Sequence, residues 1–286
     1  MTIITDERCT TYHSPGHPER PSRVSGTVKQ LKAQTDLKLE WLKPKPAPKA
    51  KVLRAHTSNH FRRLAMPHDF DSDTPSHAGI RDHALRSVGG VLKALELAKA
   101  GKPNFSLLRP PGHHATREHA MGFCYLGSVA IAALEAKATD SNKVAVFDFD
   151  VHHGNGTEEI LTRKNGIEFF SVHQHPAYPG TGAKSFDNCH NYTARPNLPR
   201  EDYRKIAERS IADLKEYDPD LVIVSAGFDA YAGDPLCNQK LTADDFRWLG
   251  KRLLSLGVPV VSAMEGGYSD DLPDLVLAYL HGLLGK

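Results

Sequence analysis

Five short, nearly unbroken apolar runs constrain this chain more than any other feature: Phe105–Leu108, Val144–Phe147, Ile167–Val172, Leu221–Val224 and Val258–Ala263. Amphipathic patterns between and around them predict helices at 80–100, 127–138, 202–216, 243–256 and 270–284. Apolar runs too short to be helices, alternating with helices that have one wet face, predict a parallel sheet covered on both sides. The expectation is therefore an α/β protein, a three-layer α/β/α arrangement around a mainly parallel central sheet. At 286 residues a sizeable core is available, and the chain reads as a single domain, 1–286. The proline- and lysine-rich stretch Lys43–Lys51 reads as an extended surface loop.

The residues just after each run are as telling as the run itself. The first run leads into Arg-Pro-Pro-Gly-His113-His114, and the second into Asp148-Phe-Asp150-Val-His152-His153-Gly-Asn155. The third leads into His173-Gln-His175, the fourth into Ser-Ala-Gly-Phe-Asp229, and the fifth into Met-Glu265-Gly-Gly-Tyr268. Open α/β sheets bind ligands outside the carboxyl ends of their strands. Five strands carrying Asp, His and Tyr to that edge predict one active site there.

Side chains alternate along a strand, so Asp148, Asp150 and His152 point the same way at intervals of about 6–7 Å. Asp150 and His152 can share a metal ion, with Asp229 reaching in from a neighbouring strand. Two carboxylates and one imidazole leave a coordination position open, as catalytic zinc requires. Carboxylates also suit magnesium or manganese and imidazole suits iron, and a buried carboxylate–histidine network without metal uses the same residues. His113 and His114, after a rigid Pro-Pro-Gly turn, suit acid–base work beside a polarised water. Asp148 and Asn155 are available to orient their second nitrogens. Tyr268 can aim a phenol at a developing oxyanion, or simply pack.

Other classes find little support. The formal charge is +2 with no dense lysine–arginine block, so no nucleic-acid footprint is visible. No apolar stretch approaches the roughly 18 residues that span a bilayer. Cys9, Cys124, Cys189 and Cys237 stand apart, without the spacing of a disulfide framework or a thiolate zinc site. The start of the chain lacks the basic and apolar regions of a secretory signal, so a cytoplasmic location is expected.

These residues resemble the histone deacetylase superfamily, with its class II-like bacterial deacetylases, acetylpolyamine amidohydrolases and acetoin-utilisation-type proteins. The resemblance runs from His17-Pro-Glu-Arg-Pro-Ser-Arg23 to Glu265-Gly-Gly-Tyr268. It rests on Arg109-Pro-Pro-Gly-His-His-Ala115, Gly122-Phe-Cys124, Asp148-Phe-Asp-Val-His-His-Gly-Asn-Gly-Thr157, Tyr178-Pro-Gly-Thr-Gly182 and Gly227-Phe-Asp-Ala230 with Gly233-Asp-Pro-Leu236. It implies the arginase–deacetylase fold and one Zn²⁺ held by Asp150, His152 and Asp229. It further implies catalysis by His113 and His114, oriented by Asp148 and Asn155, with Tyr268 polarising the scissile carbonyl together with the zinc. The implied reaction is hydrolysis of an acetyl or related acyl amide by zinc-activated water. Gly122, Phe123, Tyr178 and Leu236 would line the substrate tunnel, and a structural K⁺ would sit near the backbone of Asp148, Asp150 and His152. The implied partner is an acylated lysine in a protein or peptide, or a small acylated amine. Polyamine-specific members tend to carry an acid where this chain has Leu236, which tilts the expectation toward acyl-lysine. Asp71 and Asp73 are candidates for the rim.

The chain departs from the pattern in places. Leu126-Gly127-Ser128 replaces an Asn-rich pair, Cys237-Asn238-Gln239 stands where Gly-Gly is common, and Tyr231 stands where bacterial members often have His. The region around 60–80 is short, so reduced rim loops are expected. Two further readings compete with an active deacylase. A two-manganese arginase-type hydrolase would need extra aspartates where Gly154 and Tyr231 stand. A silent acyl-lysine binder would have no need of His113, His114 and Tyr268 together.

Overall fold

The computed structural model describes residues 1–286. Eight strands form its sheet: β1 (Thr2–Ile4), β2 (Glu40–Leu42), β3 (Asn104–Ser106), β4 (Val144–Asp148), β5 (Ile167–Gln174), β6 (Cys189–Ala194), β7 (Leu221–Ala226) and β8 (Val260–Met264). Their order is β2-β1-β3-β8-β7-β4-β5-β6, and every pairing is parallel. The expected three-layer fold is thus present, with a wholly parallel sheet.

Alternation within β4 shows how the layers arise. Ala145 and Phe147 belong to a core with Val24, Tyr203, Phe246 and Leu275, from helices Ser22–Ala33, Arg200–Tyr217, Ala243–Leu254 and Leu272–Leu283. Val144 and Val146 enter the opposite core with Val88, Val129 and Ile160, from helices Ile80–Lys99, Ser128–Thr139 and Asn155–Leu161. Both faces of the strand are therefore apolar, as its unbroken hydrophobic run requires. The five helices expected from the sequence form within two residues of their predicted ends. The helix at 243 is closed by a reciprocal cap between Thr242 and Asp245.

The Lys43–Lys51 stretch is largely exposed, as expected, with two exceptions. Its first part is extended, but Lys49–Val52 forms a helical turn, and Pro44 and Ala47 are buried rather than on the surface. Ala47 N–H donates to the Leu85 carbonyl (2.8 Å). A Cβ at Gly89 would lie 1.9 Å from the Lys45 carbonyl oxygen, so a glycine in the long helix lets this loop pack against it.

Topology places the site. From β4 the chain moves outward to β5 and β6, then returns across the sheet to β7 and β8 on the other side of β4. The direction reverses at β4, and such a switch point opens a crevice at the carboxyl ends of the strands. Asp148 closes β4, and Asp150, His152 and Asp229 lie beyond the strand ends on the two sides of that crevice.

Candidate metal centre and acid–base site

Potential ligand atoms of Asp150, His152 and Asp229 lie within 4.8 Å of one another, and all three residues are buried. His152 turns Nδ1 toward Asp150 Oδ1 (3.3 Å) and Asp229 Oδ2 (3.0 Å). The remaining carboxylate oxygens accept backbone hydrogen bonds: Gly266 N–H donates to Asp150 Oδ2 (2.7 Å) and Val151 N–H to Asp229 Oδ1 (2.9 Å). The approach is close enough to demand glycine. A Cβ at Gly266 would lie 2.2 Å from Asp229 Oδ2, and one at Gly227 2.3 Å from Asp150 Oδ2.

The electrostatics fit a cation. Burial, then the charge of Asp150, pushes the Asp229 carboxyl up to about 7. Asp150 moves the other way: burial opposes its charge, but His113 and His152 outweigh burial and lower its pKa. Two carboxylates facing one imidazole in a dry site repel each other, and a dication between them would relieve that repulsion. The donor set, two oxygens and one nitrogen with an open side, suits a catalytic zinc or a similar divalent ion.

The histidine pair sits beside this triangle with ring centroids 3.9 Å apart. His113 Nδ1 pairs with Asp148 Oδ2 (3.1 Å), and its Nε2 lies 3.7 Å from Asp150 Oδ1. Burial disfavours its charge, yet Asp150 and Asp148 prevail and push its pKa up to about 10. His114 Nδ1 donates to Asn155 Oδ1 (2.7 Å). Burial and the charge of His113 push the His114 pKa well below its ordinary value, so this ring is neutral with Nε2 free of a proton. Asp148 and Asn155 thus take the two orienting positions expected of them.

Above the triangle opens a pocket of about 190 Å³ lined by Asp73, His114, Gly122, Phe123, His152, Tyr178, Leu236 and Tyr268. All four expected substrate-contact residues are on its wall. Of the histidine pair only His114 lines it. Asp73 joins them, whereas Asp71 is occupied in accepting the Asp73 N–H (2.9 Å). Tyr178 stands edge-on to His114 (5.0 Å) and Phe123 edge-on to Tyr268 (5.7 Å). A larger cavity of about 490 Å³ beside residues 64–82 shares no lining residue with this one. Chemistry rather than size distinguishes the smaller.

Several supports come from distant segments; most lie in the motifs quoted above, but no local pattern assigns them a partner. Glu265 Oε2 accepts the N–H groups of Gly112 (2.7 Å) and His113 (3.2 Å), fixing the turn that carries the histidines. Asp234 Oδ2 accepts Tyr268 N–H (2.6 Å), Arg20 donates to the Tyr268 carbonyl (2.8 Å), and Arg23 lies 4.7 Å over the Tyr268 ring. His56 Nε2 accepts Gly127 N–H (2.9 Å) at the start of the helix where the Asn-rich pair is missing. His113, Cys124 and Glu265 form a second group of potential ligands; His113 Nδ1 and Glu265 Oε2 are committed to Asp148 and to backbone N–H groups, while the buried Glu265 Oε1 has no partner. All four cysteines are free.

The two arginase positions give no second ligand pair. A Cβ at Gly154 would already meet Asp148 Oδ2 at 2.3 Å, and Tyr231 turns its hydroxyl to Asp271 (2.9 Å).

Comparison with known proteins bears on the fold and the family. A probable deacetylase of Archaeoglobus fulgidus is 34% identical, over 93% of this chain and 80% of that protein. The crystal structure of HDA15 HD domain superposes with a TM-score of 0.93 at 32% identity, covering 100% of this chain and 89% of the other. An acetylpolyamine aminohydrolase structure from Burkholderia pseudomallei gives 0.90 at 26% identity, covering 99% and 98%. The histone deacetylase domain model matches residues 17–283, and the chain belongs to that family of deacetylases and amidohydrolases.

Proposed function

We propose that this protein is a zinc-dependent amide hydrolase that removes acetyl or related acyl groups from lysine side chains. The observation that carries the reading is the buried Asp150–His152–Asp229 triangle at the base of a narrow aromatic-walled pocket, with the neutral His114 beside it. A bound zinc would supply Lewis acidity toward a carbonyl oxygen and acidify a water molecule.

The chain's own residues would do the rest. Phe123 and Tyr178 flank the aliphatic stem of the substrate and exclude water from it. His114, its Nδ1 proton committed to Asn155, takes the proton of the attacking water at Nε2 and returns it to the departing amine. His113, paired with Asp148 and packed beside His114, is the second member of the acid–base pair, and as an imidazolium it would keep the resting His114 neutral by disfavouring a second adjacent charge. Tyr268, its main chain fixed by Asp234 and Arg20, donates a hydrogen bond from its phenol to the developing oxyanion. Burial holds that phenol protonated. A structural K⁺ near the backbone of Asp148, Asp150 and His152 belongs to the same proposal, on the family resemblance alone.

One observation favours a second substrate class. Leu236 brings no charge to the mouth, but Asp73 does. That carboxylate would accept a peptide N–H from a protein substrate, or pair with the second ammonium of an acylated polyamine. Purified protein should be assayed on a fluorogenic acetyl-lysine peptide beside N-acetylputrescine. A higher kcat/KM for the peptide supports the lysine reading; the reverse order assigns Asp73 to an ammonium. Turnover of neither, with one zinc bound per chain, would overturn the proposal for both.

A further inference from the structure

Metal-ligating histidines depend on what holds their outer nitrogen. His152 turns Nδ1 toward Asp150 and Asp229, and with a metal ion between the three it would offer that ion its Nδ1 lone pair and carry its ring proton on Nε2. That nitrogen faces Cys237 Sγ at 3.8 Å. The thiol stands at one of the positions where the chain leaves the family pattern, and a glycine there would offer no acceptor.

The segment around Cys237 is pinned on both sides. Leu236 N–H donates to Asp234 Oδ1 (3.0 Å), and Asn238 N–H to Gln174 Oε1 (3.2 Å). The Asn238 carbonyl accepts Asn197 N–H (2.7 Å), while Gln239 Nε2 donates to Gln174 Oε1 (2.9 Å) and to the Arg195 carbonyl (3.0 Å). Asn238 and Gln239, two more departures from the pattern, therefore anchor the loop to β5 and to the segment after β6. Asp234 also holds Tyr268, so one short loop sets the distance of the sulfur from His152 and of the phenol from the same pocket.

We propose that Cys237 is a positioning residue for His152. Its sulfur accepts the Nε2–H, fixes the tautomer, and keeps the Nδ1 lone pair aimed between Asp150 and Asp229. Sulfur is a weak acceptor, so the contribution lies in orientation. This inference rests on the metal reading above.

The test compares wild type, Cys237→Ala and Cys237→Ser, stripped of metal and titrated with Zn²⁺ against a chromophoric chelator. The Co²⁺-loaded forms are read by visible absorption. Loss of the acceptor should weaken zinc binding about tenfold and shift the cobalt ligand-field bands, while the serine variant stays within about threefold of wild type. Equal affinity and unchanged bands in Cys237→Ala would overturn the inference while leaving the metal site standing. A thiolate-to-cobalt charge-transfer band in wild type would overturn it differently, by making the sulfur a direct ligand. A wild-type protein without one-to-one metal binding would remove the metal reading itself, and this role with it.

Discussion

Two buried histidines near the site give the protein a calculable acid sensitivity. His56 is buried and accepts Gly127 N–H at Nε2, at the start of the helix behind the turn that carries His113 and His114. Burial, then the nearby His60, pushes its pKa down to about 3 from 6.5. His173 is likewise buried; burial and then His153 lower it to about 3. Its Nε2 bonds the Gly182 carbonyl (3.0 Å) in the loop that carries Tyr178. Each ring must stay neutral in the fold, and protonated His56 would point a donor at a donor. A depressed folded-state pKa means the full stability is present above about 6.5 and is lost as pH falls toward the folded value. At about pH 5 each histidine has forfeited roughly 2 kcal/mol, about 1.5 pH units at 1.36 kcal/mol each. The pair together removes roughly 4 kcal/mol, a large part of the 5–15 kcal/mol typical of folded domains. Buried carboxylates add slope of their own, so the decisive comparison is with His56→Gln, whose amide oxygen can accept Gly127 N–H without titrating. Urea unfolding at several pH values between about 7 and 5 should show a slope shallower in the variant by about 1.4 kcal/mol per pH unit below pH 6. Identical slopes would refute the reasoning, whatever the absolute stabilities.

Other consequences are equally specific. Tyr268→Phe keeps the ring against Phe123 and Arg23 but removes the oxyanion donor, so kcat should fall by about two to three orders of magnitude with metal content unchanged by elemental analysis. Asp229→Asn removes a ligand and also the repulsion with Asp150; the metal-free variant should melt no lower than metal-free wild type, and added zinc should raise the melting temperature of wild type only. Gly266→Ala would drive a methyl group into Asp229 Oδ2, and should abolish stoichiometric zinc binding in a competition titration. Asp73→Asn should raise KM with little change in kcat, and whether the peptide or N-acetylputrescine suffers more identifies the group Asp73 meets.

The central strands were legible because burial on both faces leaves an unbroken apolar run, and the site residues because each such run ended in Asp, His or Tyr. Asp150, His152 and Asp229 meet as the topological rule requires. The outer strands β1, β2 and β6 escaped notice because they are short or polar. β1 and β2 are three residues each, β2 is largely exposed, and β6 reads Cys-His-Asn-Tyr-Thr-Ala, too polar to register as a run. The partners of the supporting residues were illegible because they depend on contacts across the fold. Glu265 caps a turn 153 residues away, Arg20 holds a tyrosine 248 residues away, and His56 serves a helix 71 residues on. No local pattern encodes such pairs. The Lys43–Lys51 stretch is mostly exposed, as its prolines and lysines suggest, but the notch at Gly89 that admits its backbone lies in another helix and gives no signal in the stretch itself.

The most direct test of zinc-dependent hydrolysis is turnover of an acetyl-lysine peptide by protein stripped of metal and then supplied with one equivalent of zinc per chain. Stripping should abolish hydrolysis, and one equivalent should restore it. Hydrolysis that survives complete stripping, or that zinc fails to restore in a folded protein, would contradict the proposed chemistry.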